Sequence, residues 1–89
     1  SFYKKSLYNS IIMKKVYIKF CKVWGSYRPR AVRAAAAIKE KLGLEAGLIE
    51  GERGEFTVWV DDEKVAEKGW IMFPSDAKIV EAVEQSLAS

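Results

Sequence analysis

One cysteine, Cys21, and no histidine stand among the 89 residues, so nucleophilic chemistry narrows to a single thiol. Without histidine the commonest general base and metal ligand is missing. No Ser-His-Asp or Cys-His arrangement can be drawn, and a structural zinc site lacks ligands. A lone cysteine also excludes an internal disulfide framework. What favours chemistry at Cys21 is its setting. It follows a stretch of alternating apolar residues and precedes a helical one; Lys22 and Arg28 are close by, and the next eighteen positions hold no acid. A helix N-terminus and nearby cations both favour the thiolate, lowering a thiol pKa from its ordinary value of about 8.5. The plainer alternative stays open, because a free cysteine commonly serves as a small buried apolar side chain.

Other clusters carry less. Asp61-Asp62-Glu63 groups acids that suit a hard cation, but an acidic turn is ordinarily just solvated. Gly51-Glu52-Arg53-Gly54 lacks the lysine and Ser/Thr of a phosphate loop and places an acid where phosphate would lie, so it reads as a turn. Tyr17, Trp24 and Tyr27 lie among bases and offer stacking surfaces, yet no base-reading motif accompanies them.

The elements that must position Cys21 are legible from periodicity. Lys15 to Phe20 alternates, with Val16, Ile18 and Phe20 on one face, and reads as a strand. Cys21 to Tyr27 reads as a loop in which Gly25 supplies backbone freedom. Pro29 suits the first turn of a helix that runs through Arg30–Leu42, with Ala31, Ala35, Ile38 and Leu42 inward, Arg30, Arg33 and Lys41 pointing elsewhere, and Gly43 as its cap. Leu44, Ala46 and Leu48 start a second strand; Phe56, Val58 and Val60 mark a third, with Thr57 and Trp59 on its other face. Asp61-Asp62 forms a tight turn, although a hairpin would favour glycine at its second position. Glu63 to Glu67 returns as a fourth strand. After Gly69 the apolar run Trp70-Ile71-Met72-Phe73 leads into Pro74-Ser75 and a last helix with Ile79, Val83 and Leu87 inward. The order β-α-β-β-β-α calls for a right-handed crossover between two parallel, adjacent strands, followed by a hairpin: an α/β sandwich with a mixed four-stranded sheet.

Composition agrees with one small domain, spanning residues 13–89. Apolar residues make up 49% and charged residues 30% of the chain, and no apolar run approaches the roughly 20 residues of a membrane-spanning helix. Residues 1–12 precede Met13-Lys14-Lys15 and read as an N-terminal extension, non-native or upstream sequence as readily as a helical stripe of Tyr3, Leu7 and Ile11. Lys4, Lys5, Ser6, Asn9 and Ser10 interrupt any secretory-signal core, and the expected compartment is the cytoplasm. The net charge of +3 conceals a steep polarity. Residues 1–39 hold ten bases and no acid, while the remainder holds five bases and twelve acids. Such a split can mark an anionic partner or two halves whose charges face one another.

The chain also resembles a family. Phe20-Cys21-x-x-x-Gly25, Tyr27-Arg28-Pro29-Arg30-Ala31, Gly51-Glu52-Arg53-Gly54-Glu55-Phe56, Val58-Trp59-Val60-Asp61, Phe73-Pro74 and Ile79-Val80-Glu81-Ala82 together look like the selenoprotein W-related (Rdx) proteins, over Lys14 to about Leu87. The resemblance implies a thioredoxin-like fold, a Cys-x-x-Cys or Cys-x-x-selenocysteine motif after the first strand, and thiol redox function that is often glutathione-linked. This chain departs from the motif. Cys21 matches its first position, but the second redox position falls on Trp24, and Ser26 is inserted between Gly25 and Tyr27. Anchoring on Tyr27-Arg28-Pro29 instead puts Gly25 there. Either a true loss of the redox pair or a selenocysteine codon rewritten as tryptophan accounts for it.

Two-sulfur chemistry within the chain is thereby excluded. Cys21 can act only as a monothiol, attacking a disulfide or passing through a sulfenic acid, then released by an outside thiol such as glutathione acting as co-substrate. No bound cofactor or metal is expected. Lys22, Arg28 and the first-helix amides are candidates to hold a glutathione carboxylate, and Trp24 either offers a stacking surface or plugs the vacated site. The alternative is a non-catalytic interaction module in which the Cys21–Tyr27 loop and Trp70–Phe73 bind a protein; binding of nucleic acid by the basic half ranks last.

Overall fold

Val16, Ile18 and Phe20 alternate with Tyr17 and Lys19, and the chain pleats accordingly: the first three are buried and the other two half-buried. This strand, β1 (Val16–Cys21), is followed by α1 (Tyr27–Leu42), β2 (Ala46–Gly51), β3 (Phe56–Val60), β4 (Glu63–Glu67) and α2 (Asp76–Ala88). The computed structural model describes residues 14–88, so the N-terminal extension assigned to residues 1–12 lies outside the described residues.

The sheet order is β2-β1-β3-β4. β1 and β2 are parallel, with Val16 beside Ala46 and Cys21 beside Gly51. β3 runs antiparallel to β1, pairing Ile18 with Val58 and Phe20 with Phe56, and β4 is antiparallel to β3. The mixed four-stranded α/β arrangement expected from the element order is therefore present. Both helices cover one face. Val16, Ile18 and Phe20 of β1 and Phe56, Val58 and Val60 of β3 form a common core with Ala31, Ala34 and Ile38 of α1 and Ile79 and Val83 of α2. Burial of each larger aliphatic or aromatic side chain here contributes roughly 1.5–3 kcal/mol. The small Ala31 and Ala34 let α1 lie close to the sheet. Tyr17, Lys19 and Trp59 occupy the opposite, open face, where the Tyr17 and Trp59 rings are parallel at 6.2 Å.

Three local features differ from the expectations, and one expected turn forms without the glycine it would favour. α1 starts at Tyr27, three residues before Arg30. The inward stripe contains Ala34, while Ala35 and Leu42 are only half-buried against the core. The expected Asp61-Asp62 turn after β3 is present and forms without glycine, because Asp61 itself takes the left-handed conformation (φ 55°). Long-range partners hold Asp61 in that conformation: its Oδ1 accepts from the Lys15 N–H at 2.8 Å, and its carbonyl accepts from the Tyr17 hydroxyl at 2.9 Å. Arg30, expected to point away from the domain, instead lies largely buried against the start of α2. At the other end of α1 the expectation holds: Gly43 caps the helix at φ 71° and donates its N–H to the Lys39 carbonyl at 2.9 Å.

Candidate functional site

Cys21 does not lie in the loop beyond the first strand. It is the last residue of β1, 1% exposed, and its N–H donates to the Glu55 carbonyl at 2.8 Å. That bond extends the ladder by one residue and draws Cys21 against the turn between β2 and β3. The groups that act on its thiol come from both loops. Burial pushes the thiol up, but the backbone N–H groups of Gly54, Trp24 and Val23, with the Arg53 guanidinium, outweigh it and hold the thiol below its usual range. Backbone N–H groups near a thiol favour its anionic form.

Arg53 and Gly54 are the contributors that sequence reasoning missed, since Gly51–Gly54 read as a plain turn. Gly54 needs to be glycine here. Its φ is +78°, and a side chain on it would come within 3.3 Å of the Trp24 ring. Lys22 and Arg28, the cations expected to act on the thiol, are engaged elsewhere. Lys22 pairs with Glu50 across solvent at 3.7 Å, and the Arg28 guanidinium lies 5.5 Å from the centre of the Phe20 ring.

The remaining expected site residues fall into two groups. Trp24, about half exposed, lies against Gly54 and meets Tyr27 edge-on at 5.6 Å. Tyr27 is buried, and its ring meets Phe73 edge-on at 4.9 Å; Phe73 in turn meets Phe56 at 5.0 Å. A chain of rings thus runs from the Cys21 loop to the loop before α2 and into the core. Phe73 is part of this packing and not of an exposed surface, whereas Trp70, Ile71 and Met72 beside it are 95%, 79% and 72% exposed. Their loop is closed by the Gly69 N–H donating to the Met72 carbonyl at 2.9 Å. Gly25 stands in the open: a side chain there would meet nothing within 4 Å, and its φ lies outside the left-handed region, so the backbone does not demand glycine.

Charge also sorts itself locally. Lys22–Glu50, Arg30–Asp76 and Lys39–Glu45 each join the basic first half to the acidic second, accounting for three of the four ion pairs among the described residues. Among those residues no group of three or more acids, cysteines or histidines is placed to hold a metal ion, and no helix is long and apolar enough to cross a membrane.

No family model matches the chain, and no curated protein matches it. Among solved structures, the chain is similar to a crystal structure of a Bordetella parapertussis protein, a Northeast Structural Genomics target. The TM-score is 0.60 at 19% identity, over 82% of this chain and 96% of that one. A likeness at that identity shows the fold alone.

Proposed function

We propose that this protein is a thiol redox protein of the selenoprotein W-related type, working in the cytoplasm through the single thiol of Cys21 with glutathione as co-substrate. The feature that supports this reading is the lowered Cys21 thiol pKa, held down by the Gly54, Trp24 and Val23 N–H groups and the Arg53 charge at the buried end of β1, which favours the nucleophilic thiolate. In the reaction, the Cys21 thiolate attacks one sulfur of a disulfide. A new S–S bond forms to Cys21, the old one breaks, and the departing sulfur leaves as a thiolate. Because Trp24 carries no sulfur, glutathione must resolve the mixed disulfide, its thiolate displacing Cys21. Cys21 is 1% exposed at the end of β1, so a disulfide substrate reaches its sulfur only when the loops around it open.

The pH dependence of Cys21 alkylation tests this reading. A midpoint below about 8.5 is expected, together with a rise in midpoint for Arg53→Gln. A wild-type midpoint at or above that value overturns the reactive-thiol assignment. A different observation favours a second reading, a non-catalytic protein-interaction module: the contiguous exposed side chains of Trp70, Ile71 and Met72 suit an apolar protein partner. A normal thiol pKa, with Trp70 fluorescence shifted by a binding protein, is the outcome that selects it.

A further inference from the structure

The two outer strands of the sheet are guarded unequally. β4 carries Glu63, Lys64 and Glu67 among its five residues and pairs irregularly with β3 at Val58 and Trp59. The Ser86 hydroxyl of α2 also donates to Glu63 at 3.0 Å. Charges, bulges and covering elements are the devices that keep a strand edge from pairing with another chain. β2, at the other edge, has one charged residue, Glu50, and no proline. It pairs regularly with β1 through all six residues, and among the described residues its outer side has no partner strand. Leu48 and Ile49 are 37% and 43% exposed.

We propose that β2 pairs with β2 of a second copy of this chain, antiparallel about a two-fold axis through Leu48, which continues the sheet from four strands to eight. The strand's own pattern selects a second copy. A two-fold axis perpendicular to the sheet keeps each face on its own side, so it must pass through a residue and pair positions of equal parity. Centred on Leu48, it sets Ile49 opposite Gly47, Ala46 opposite Glu50, and Leu48 opposite itself. Gly47 lies next to Tyr17, where a side chain would come within 3.6 Å of the Tyr17 Cβ. The large Ile49 of one copy therefore fills the space beside the small Gly47 of the other, on the open face. Centring the axis on Gly47 puts Glu45 opposite Ile49; centring it on Ile49 puts Glu50 opposite Leu48. Only the Leu48 axis keeps acids off both exposed aliphatic side chains. The inference is independent of the thiol chemistry.

Sedimentation of the full chain tests it, and twice the monomer mass is expected. Leu48→Lys sets like charges directly opposite one another, raising the dimer dissociation constant roughly tenfold or more; because Leu48 is exposed, the circular dichroism spectrum should not change. A covalent test needs no such comparison. Directly opposed antiparallel residues have Cα atoms about 4.5–5.5 Å apart, within the range a disulfide spans. In a Cys21→Ser background, Leu48→Cys should therefore oxidise to a covalent dimer, whereas Lys64→Cys on β4 should not. A monomer at millimolar concentration, a dimer unaffected by Leu48→Lys, or equal cross-linking of the two cysteine variants overturns the proposal. A monomer whose β2 takes up only foreign peptides does so too.

Discussion

Arg30 spans from the first turn of α1 to the start of α2, where its Nη1 donates to Asp76 Oδ1 at 2.6 Å and its Nη2 donates to the Pro74 carbonyl at 2.8 Å. The guanidinium side chain is 14% exposed and lies 6.0 Å from the centre of the Phe73 ring. It thus fixes the loop that carries Trp70–Met72 onto the helix that follows Cys21. Removing it leaves Asp76 and the Pro74 carbonyl without their partner. Arg30→Ala should cost about 1–3 kcal/mol in urea unfolding. Arg30→Lys should recover only part of that, since lysine cannot reproduce the fork that serves both acceptors. Equal stability of Arg30→Ala and wild type would show that solvent replaces the clamp.

Trp24 stands at the position where a second sulfur would complete a Cys-x-x-Cys motif. Its own N–H helps hold the Cys21 thiol below its usual range, so the backbone there already turns toward the sulfur. Trp24→Cys should accordingly oxidise to an internal disulfide and lose both free thiols in a thiol titration. Two titratable thiols that persist under oxidising conditions would show that the loop cannot bring the sulfurs together.

Much of this was legible along the chain, and what was not shares one cause. The alternation of Val16, Ile18 and Phe20 and of Phe56, Val58 and Val60 reports a two-residue period directly, and Gly43 marks a helix end by its own backbone freedom. Local signals of this kind need no knowledge of the rest of the fold. The start of α1 at Tyr27 does, because that residue is held by Trp24 and by Phe73, which lies more than forty positions away. The inward turn of Arg30 likewise depends on Asp76, and the left-handed Asp61 depends on Lys15 and Tyr17. The surroundings of Cys21 are the clearest case. Arg53 and Gly54 act on the thiol only because the register of β1 against β3 puts Cys21 beside Glu55, and no spacing along the chain states that register.

Glu55 ties that same turn together and makes it sensitive to acid. Its Oε1 accepts the Glu52 N–H at 2.8 Å, its Oε2 accepts the Thr57 hydroxyl at 2.7 Å, and its own N–H donates to the Glu52 carbonyl at 3.0 Å. Gly51 leaves room for the carboxylate; a side chain there would run into it and come within 3.2 Å of the Lys19 Cβ. Burial pushes the Glu55 carboxyl up, but the Glu52 N–H, the Thr57 hydroxyl and the charges of Lys19 and Lys64 prevail and hold it below the usual carboxylate range. A carboxyl whose folded value is lowered binds protons more readily in the unfolded chain. Its stabilisation is therefore complete above the ordinary glutamate pKa of about 4.3 and is lost as pH falls through the folded value. Glu55→Gln removes this titration while preserving the shape, so the stability of the wild type should fall more steeply than that of the variant between about pH 5 and pH 3. Thr57→Val, which removes the hydroxyl donor, should raise the folded Glu55 pKa toward the unfolded value and so make the fall in stability shallower. Parallel stability curves for wild type and Glu55→Gln across that range would mean that the carboxylate contributes nothing that its amide cannot.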